Sequence, residues 1–295
     1  MDAASGEQIE LELGDQRVVI VEVGAGLREY SANGAPVLDG YAADAVCDSG
    51  RGQLLMPWPN RIDGGSYDFG GQSHQLALDE PERRNAIHGL VRWAAWTVAE
   101  RAADRVRLEH RLHPSPGYPF ALALGVEYAL TADGLSVLTE ATNVGADACP
   151  YGAGAHPYLA VPGDRVDDAT LQVPARTVLE ADERGLPVGS VPVEGELDFR
   201  TPKPVGEVKL DHCFTDLVRD EDGLARVRLG ETTLWADESY PYLMIFTGDP
   251  LPVGARRSLA VEPMTCAPNA FRSGDGLVRL EPGETHAGAW GITPR

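Results

Sequence analysis

The chain has 295 residues, 43% of them hydrophobic, enough for a large core in one or two domains. Its 45 acidic against 25 basic residues leave a formal charge of -20, which repels nucleic acid and anionic membrane surfaces and favours a neutral small-molecule partner. Apolar runs fall short of the roughly 20 residues a membrane helix needs, and the start Met1-Asp2-Ala3-Ala4 has neither the basic nor the apolar region of a secretory leader, so a cytoplasmic protein is expected.

Short alternating segments recur along the chain. Ile9, Leu11 and Leu13 alternate with acids, and residues 18–23 follow a Gly-Asp turn, which predicts a hairpin. Residues 67–69 and 74–76 flank Gly70-Gly71, a second hairpin signal. Val106, Leu108, His110 and Leu112 share one face of a period-2 run whose other face carries Arg105, Arg107, Glu109 and Arg111, so His110 is expected on the buried face. His110 and His113 have a spacing that suits metal binding on a helix, and this run is a strand. Further strands are predicted at 121–130 and 135–142, joined by Ala-Asp-Gly, then at 225–235, 242–247, 258–261 and 285–292. Residues 187–208, rich in Pro, Gly and Glu, read as a long surface excursion.

No segment keeps a helical period over about a dozen residues. The predicted fold is therefore all-β, a large β-sandwich forming a single domain over residues 1–295, and 33 Gly with 22 Pro suit its many turns. Cys47, Cys149, Cys213 and Cys266 lie far apart with no Cys-x-x-Cys pair. Neither a zinc site nor a disulfide framework is predicted from them, and all four are expected as thiols.

Five stretches hold residues that could carry chemistry. In Gly152-Ala153-Gly154-Ala155-His156-Pro157-Tyr158-Leu159 the small residues allow a close approach to the backbone, while Pro157 holds His156 out of helix. An imidazole so placed can give or take a proton near neutral pH; the alternative is a core histidine beside a turn. Met56-Pro57-Trp58-Pro59-Asn60-Arg61-Ile62 stiffens an arginine that can fork two donors toward hydroxyl or carboxylate oxygens, or else form a salt bridge. Asn85-Ala86-Ile87-His88-Gly89 offers a second histidine, otherwise a turn residue, and Asp211 a carboxylate just before an apolar run, otherwise a solvated loop acid. Glu262 closes the apolar strand at 258–261, where desolvation raises a carboxyl toward the working range of a general base.

In this order the five stretches resemble the aldose 1-epimerase (galactose mutarotase) family over nearly the whole chain, through Asn60-Arg61-Ile62, Gly64 to Gly70 with Tyr67 and Phe69, Asn85 to Gly89, His156-Pro157-Tyr158, Asp211 and Glu262-Pro263. The resemblance implies the mutarotase β-supersandwich, a sugar substrate, no cofactor and no metal; a monomer or a homodimer is expected, the choice left open by the sequence. It makes Glu262 the base and His156 the acid in opening an aldose ring, with His88 positioning or polarising the ring oxygen. It gives Arg61 and Asp211 to the sugar hydroxyls, and Asn60 and Tyr158, from the same motifs, are expected in the binding set. Trp58, Trp93 and Phe271 are candidates for a stacking face or for core. Leu90, Leu159 and Met264 depart from the family's commonest residues and leave the preferred sugar open. Three other functions stay open: a hexose-6-phosphate epimerase drawing on Arg83-Arg84, Arg256-Arg257 or Arg272, a glycoside hydrolase using Asp211 and Glu262, and a non-catalytic sugar-binding module.

Overall fold

The computed structural model describes residues 3–294, so the two ends of the predicted 1–295 domain lie outside the described residues. One antiparallel sheet of nine strands runs in the order Thr97–Arg101, Arg105–Leu112, Leu122–Thr131, Gly134–Asn143, Thr285–Thr293, Thr232–Ala236, Ala225–Leu229, Thr170–Gln172 and Lys203–Pro204. A second sheet runs Pro187–Pro192, Ala175–Ala181, Asp211–Leu217, Tyr242–Phe246, Ser258–Met264, Gly154–Ala155 and Leu54–Leu55, with Tyr158–Ala160 also paired to Ser258–Met264. The predicted N-terminal hairpin is present as Gln8–Leu13 paired with Gln16–Val21, part of a separate four-stranded sheet. Among the described residues the only α-helix is the single turn Ala270–Ser273, and no helix is long and apolar enough to cross a membrane.

Alternation along the strands explains why the two large sheets form a sandwich. Val126, Val137, Leu234 and Trp290 from the first and Phe214, Leu243, Ile245 and Val261 from the second meet in one continuous apolar core. Burying a side chain of that size stabilises by about 1.5–3 kcal/mol, so the inward faces drive the layering. The second sheet is covered on its other face as well, since every residue of Ser258–Met264 is buried. Side chains alternate along a strand, so Glu262 lies on the opposite face from Val261. The registers Asp211↔Phe246, Cys213↔Met244 and Met244↔Glu262 place Asp211, Cys213, Met244, Phe246 and Glu262 together on that outer face.

Several expectations are corrected. Residues 225–235 are two strands, because Leu229 pairs with Thr232 around a two-residue turn in which Gly230 takes a φ of 58°. Residues 187–208 are not an excursion: Pro187–Pro192 is an edge strand on Ala175–Ala181, and Lys203–Pro204 pairs with Thr170 and Leu171. Proline is tolerated at a sheet edge, where its missing N–H breaks no ladder. His110 shares the face of Val106, Leu108 and Leu112 as expected, but it lies beyond Glu109↔Thr97, the last pair with the edge strand, and is only half-buried, packed on Trp96 with Nδ1 3.0 Å from the Ala95 carbonyl. The strand predicted at 258–261 continues to Met264, which pairs with both Tyr242 and Gly154, so Glu262 sits inside a strand rather than at its close. The four cysteines are free thiols, as expected.

Candidate active site

His156 and Glu262 are brought together by strand register. Gly154 pairs with Met264 and Tyr158 with Ala260, and the same register carried between them sets His156 directly opposite Glu262. Opposed residues on paired strands have Cβ atoms roughly 5 Å apart, and here His156 Nε2 lies 3.2 Å from Glu262 Oε1. The backbone at His156 is pinned on both sides, its N–H donating to the Gln53 carbonyl and its carbonyl accepting from Gly52 N–H. Its ring stacks on Tyr158, 4.9 Å between centroids, with the Arg51 guanidinium on Tyr158 at 4.3 Å. The small residues before it do allow a close approach: a Cβ at Gly152 would meet Cys266 Sγ at 2.5 Å, and one at Gly154 would meet Pro59 at 2.8 Å. The segment carrying Asn60 and Arg61 is thereby packed beside the histidine.

That segment and the strand Asn85–Ile87 build the opposite wall. Arg61 pairs with Ile87, and just outside the pairing Asn60 and His88 both adopt left-handed backbone, φ 52° and 63°. They lock each other: His88 N–H donates to the Asn60 carbonyl, and Asn60 N–H donates to His88 Nδ1 at 3.2 Å. Since Nδ1 accepts, the proton of neutral His88 resides on Nε2, which is left as a donor. The carboxylate of Glu80 takes Arg61 Nε and NH2, each at 2.9 Å.

The electrostatics follow from burial. Glu262 and His156 are 2% and 5% exposed, and Glu262 Oε2 and His156 Nδ1 are buried with no hydrogen-bond partner. Burial raises the Glu262 carboxyl well above its ordinary range, with nearby Asp211 adding to the effect, and lowers His156 to about 3. Burial likewise holds His88 well below the usual imidazole value. Burial opposes ionisation of Glu80 also, but hydrogen bonds from Arg61 and Asn85 prevail and hold it below the ordinary carboxylate range.

His156, Glu262, His88, Arg61 and Asp211 all face one cleft of about 440 Å³. A family model described as aldose 1-epimerase matches residues 7–293 of the chain. The chain belongs to the aldose 1-epimerase family. Among similar proteins, "Uncharacterized protein YihR" of Escherichia coli K12 is 39% identical over 291 residues, covering 96% of this chain and 91% of YihR. The GalM/aldose epimerase homologue of C. elegans shares the fold at a TM-score of 0.86 and 20% identity, with 97% of this chain and 98% of that one covered. Galactose 1-epimerase from Lactobacillus acidophilus NCFM gives 0.82 and 23%, with 97% and 93% covered.

Within this epimerase-family cleft, two predicted sugar ligands are already engaged elsewhere. The Asn60 amide oxygen accepts from Arg61 N–H, and the Tyr158 hydroxyl donates to the Ser49 carbonyl, so both residues line the cleft while holding its walls. Of the stacking candidates, Trp58 and Phe271 are buried against each other at 5.6 Å, whereas Trp93 is 56% exposed and lines the cleft with Phe246. His88, His156 and Glu262 each place a donor atom within 4.8 Å of the others, a spacing that could hold a metal ion. Ligation through His88 Nε2 would require its proton to move to Nδ1, against the Asn60 N–H, so the hydrogen bond in place favours a donor over a ligand. Glu80 was not singled out in the sequence, because an acid in the charged run from Asp79 to Arg84 looks like an ordinary solvated charge, and Arg92 belongs to no motif there. Glu80 neutralises Arg61 and Asp79 neutralises Arg92, while Arg83 has no carboxylate partner among the described residues.

Proposed function

We propose that the protein is a mutarotase, interconverting the α and β anomers of an unphosphorylated aldohexose. The observation that carries this reading is the buried His156–Glu262 pair, one acid and one base 3.2 Å apart facing a cleft walled by Arg61, His88 and Asp211. Opening a cyclic hemiacetal requires a proton to leave the anomeric hydroxyl and another to reach the ring oxygen. Glu262 takes the first as the C1–O5 bond breaks and the C1=O1 carbonyl forms, and His156 gives the second to O5. Rotation about C1–C2 and closure on the other face return both protons with the roles reversed.

Burial favours the uncharged arrangement of the pair, with the shared proton on Glu262. Transfer of that proton across the contact yields the carboxylate and imidazolium that the reaction uses, with no exchange with solvent. His88 Nε2–H donates toward the ring oxygen, and Arg61 and Asp211 hold hydroxyls, which orients the ring for the two transfers. A hexose-6-phosphate is the second reading, favoured by one observation: Arg83 lines the cleft and makes no close carboxylate ion pair among the described residues. The pairing of Arg61 and Arg92 with Glu80 and Asp79 favours a neutral sugar instead.

Magnetisation-transfer NMR on free and 6-phosphorylated aldoses tests both readings, since it measures anomer exchange directly. Faster exchange of at least one unphosphorylated aldose is expected, with no cleavage of nitrophenyl glycosides. Exchange confined to 6-phosphates selects the second reading. Glycoside cleavage, or saturable sugar binding with no exchange, overturns both.

A further inference from the structure

We propose that Glu80, Asn85 and Arg184 are positioning residues for Arg61, and that the turn between Ala175–Ala181 and Pro187–Pro192 is thereby part of the sugar-binding apparatus. The inference rests on the reading of Arg61 as a hydroxyl clamp. Of the five guanidinium donors of Arg61, Glu80 takes two, which fixes the plane of the fork. Glu80 is fixed in turn. Its Oε2 also accepts from Asn85 Nδ2 at 2.8 Å, and the backbones of Glu80 and Asn85 exchange both N–H bonds at 3.1 Å.

Asn85, fully buried, hands the constraint on to Arg184: its Nδ2 donates to the Arg184 carbonyl and its Oδ1 accepts from Arg184 NH2, both at 3.1 Å. Arg184 spends the rest of its fork on the same neighbourhood. Nε donates to the Arg83 carbonyl at 2.9 Å, NH2 to the Arg84 carbonyl at 3.1 Å, and NH1 lies 2.7 Å from Asp63 Oδ1. The turn itself is held by Asp182, whose Oδ1 accepts from the backbone N–H groups of Arg184 and Leu186. So anchored, the turn presents Gly185 to Arg61. Gly185 has a φ of 74°, and a Cβ there would lie 2.6 Å from Arg61 NH1. The guanidinium is therefore held on one side by a carboxylate, and on another it lies against a bare glycine backbone where any side chain would displace it.

A network of this kind acts through Arg61 or not at all, and a double-variant cycle reads the difference. Glu80→Gln keeps the shape and removes the charge-assisted fork, and is expected to raise KM about tenfold or more with kcat within about threefold. Arg184→Ala should raise KM by a smaller factor, and Arg184→Lys should not restore it, since a single ammonium cannot span three carbonyl and amide acceptors. In an Arg61→Ala background, Glu80→Gln should add almost nothing to KM. The Arg61 Nε–H signal in 15N NMR supplies a readout independent of catalysis: slowly exchanging in the parent, and rapidly exchanging in Glu80→Gln and Arg184→Ala. An inactive parent with a protected Arg61 signal would overturn the mutarotase reading and leave the positioning network standing. Fully additive KM effects, or an unchanged Arg61 signal in folded Glu80→Gln protein, would overturn the network.

Discussion

Glu262→Gln sets the chemistry of the pair against the stability of the fold, and the two should move in opposite directions. The substitution keeps size and removes basicity, so anomer exchange should fall by roughly 10²- to 10⁴-fold, the usual worth of a positioned general base. That is a barrier increase of about 2.7–5.4 kcal/mol. Stability changes through the raised carboxyl pKa. A folded-state pKa above the unfolded value of about 4.3 means that the native protein holds a proton the unfolded chain has released. The carboxyl's contribution to the parent's stability therefore falls as pH rises from the unfolded pKa through the folded one, at about 1.4 kcal/mol per pH unit, and the amide variant lacks this contribution, while the opposite contribution of His156 is common to both proteins. With about 2–4 °C in Tm per kcal/mol for chains approaching this size, the variant's Tm should gain on the parent by a few degrees per pH unit across that window. Magnetisation-transfer NMR at neutral pH and thermal denaturation of both proteins from about pH 5 to about pH 8 read the two effects. A folded variant exchanging anomers within about threefold of the parent would remove Glu262 as the base, far below the expected loss. A Tm difference flat with pH would refute the buried-acid argument.

The remaining expectations concern the partners of Glu262. The profile of kcat/KM against pH should be a bell with a broad top: its acid limb is the pair's uptake of a second proton, displaced below the ordinary imidazole range by the burial that lowers His156 to about 3, and its alkaline limb is loss of the shared proton, displaced above the carboxylate range. His156→Asn should lose about as much rate as Glu262→Gln, and the double variant, assayed the same way, should lose far less than the product of the single losses because both act in one ring-opening step. Gly154→Ala places a Cβ 2.8 Å from Pro59 and 3.1 Å from the Pro263 carbonyl, so it should cost about 1–3 kcal/mol in a denaturation experiment and weaken sugar binding by shifting the segment that carries Arg61.

How much of this was legible in the sequence depended on whether the signal was local. The run around Val106 and Leu108 and the long strands Leu122–Thr131 and Gly134–Asn143 declare themselves by alternation, since each has one face on the core. Glu262 stood out because a carboxylate within an otherwise apolar run is costly unless it is used. The partner strand Pro187–Pro192 did not, because an edge strand with exposed residues and a proline at each end reads as a loop. Glu80 and Arg184 could not have been joined, as they are about a hundred positions apart and each is surrounded by other charges. The role of Asn60 was half legible: the motif marks the residue, but only the fold shows its backbone N–H fixing the His88 ring.

The proposed proton-transfer pair and the groups around it are held by different kinds of structure. His156 is fixed between two short strands, Gly154–Ala155 and Tyr158–Ala160, that both pair with the strand carrying Glu262, so a change of spacing would have to deform several strands at once. Arg61, His88 and the Gly185 turn sit on short pairings and reversals at the rim, tied down by side chains that can be exchanged one at a time. On the proposed function, sugar preference could therefore be reworked by rebuilding the turn at Asp182 to Leu186 and its arginine anchor without touching the pair assigned to the chemical step. An engineer wishing to redirect the protein would graft turns at that rim and leave the strands alone.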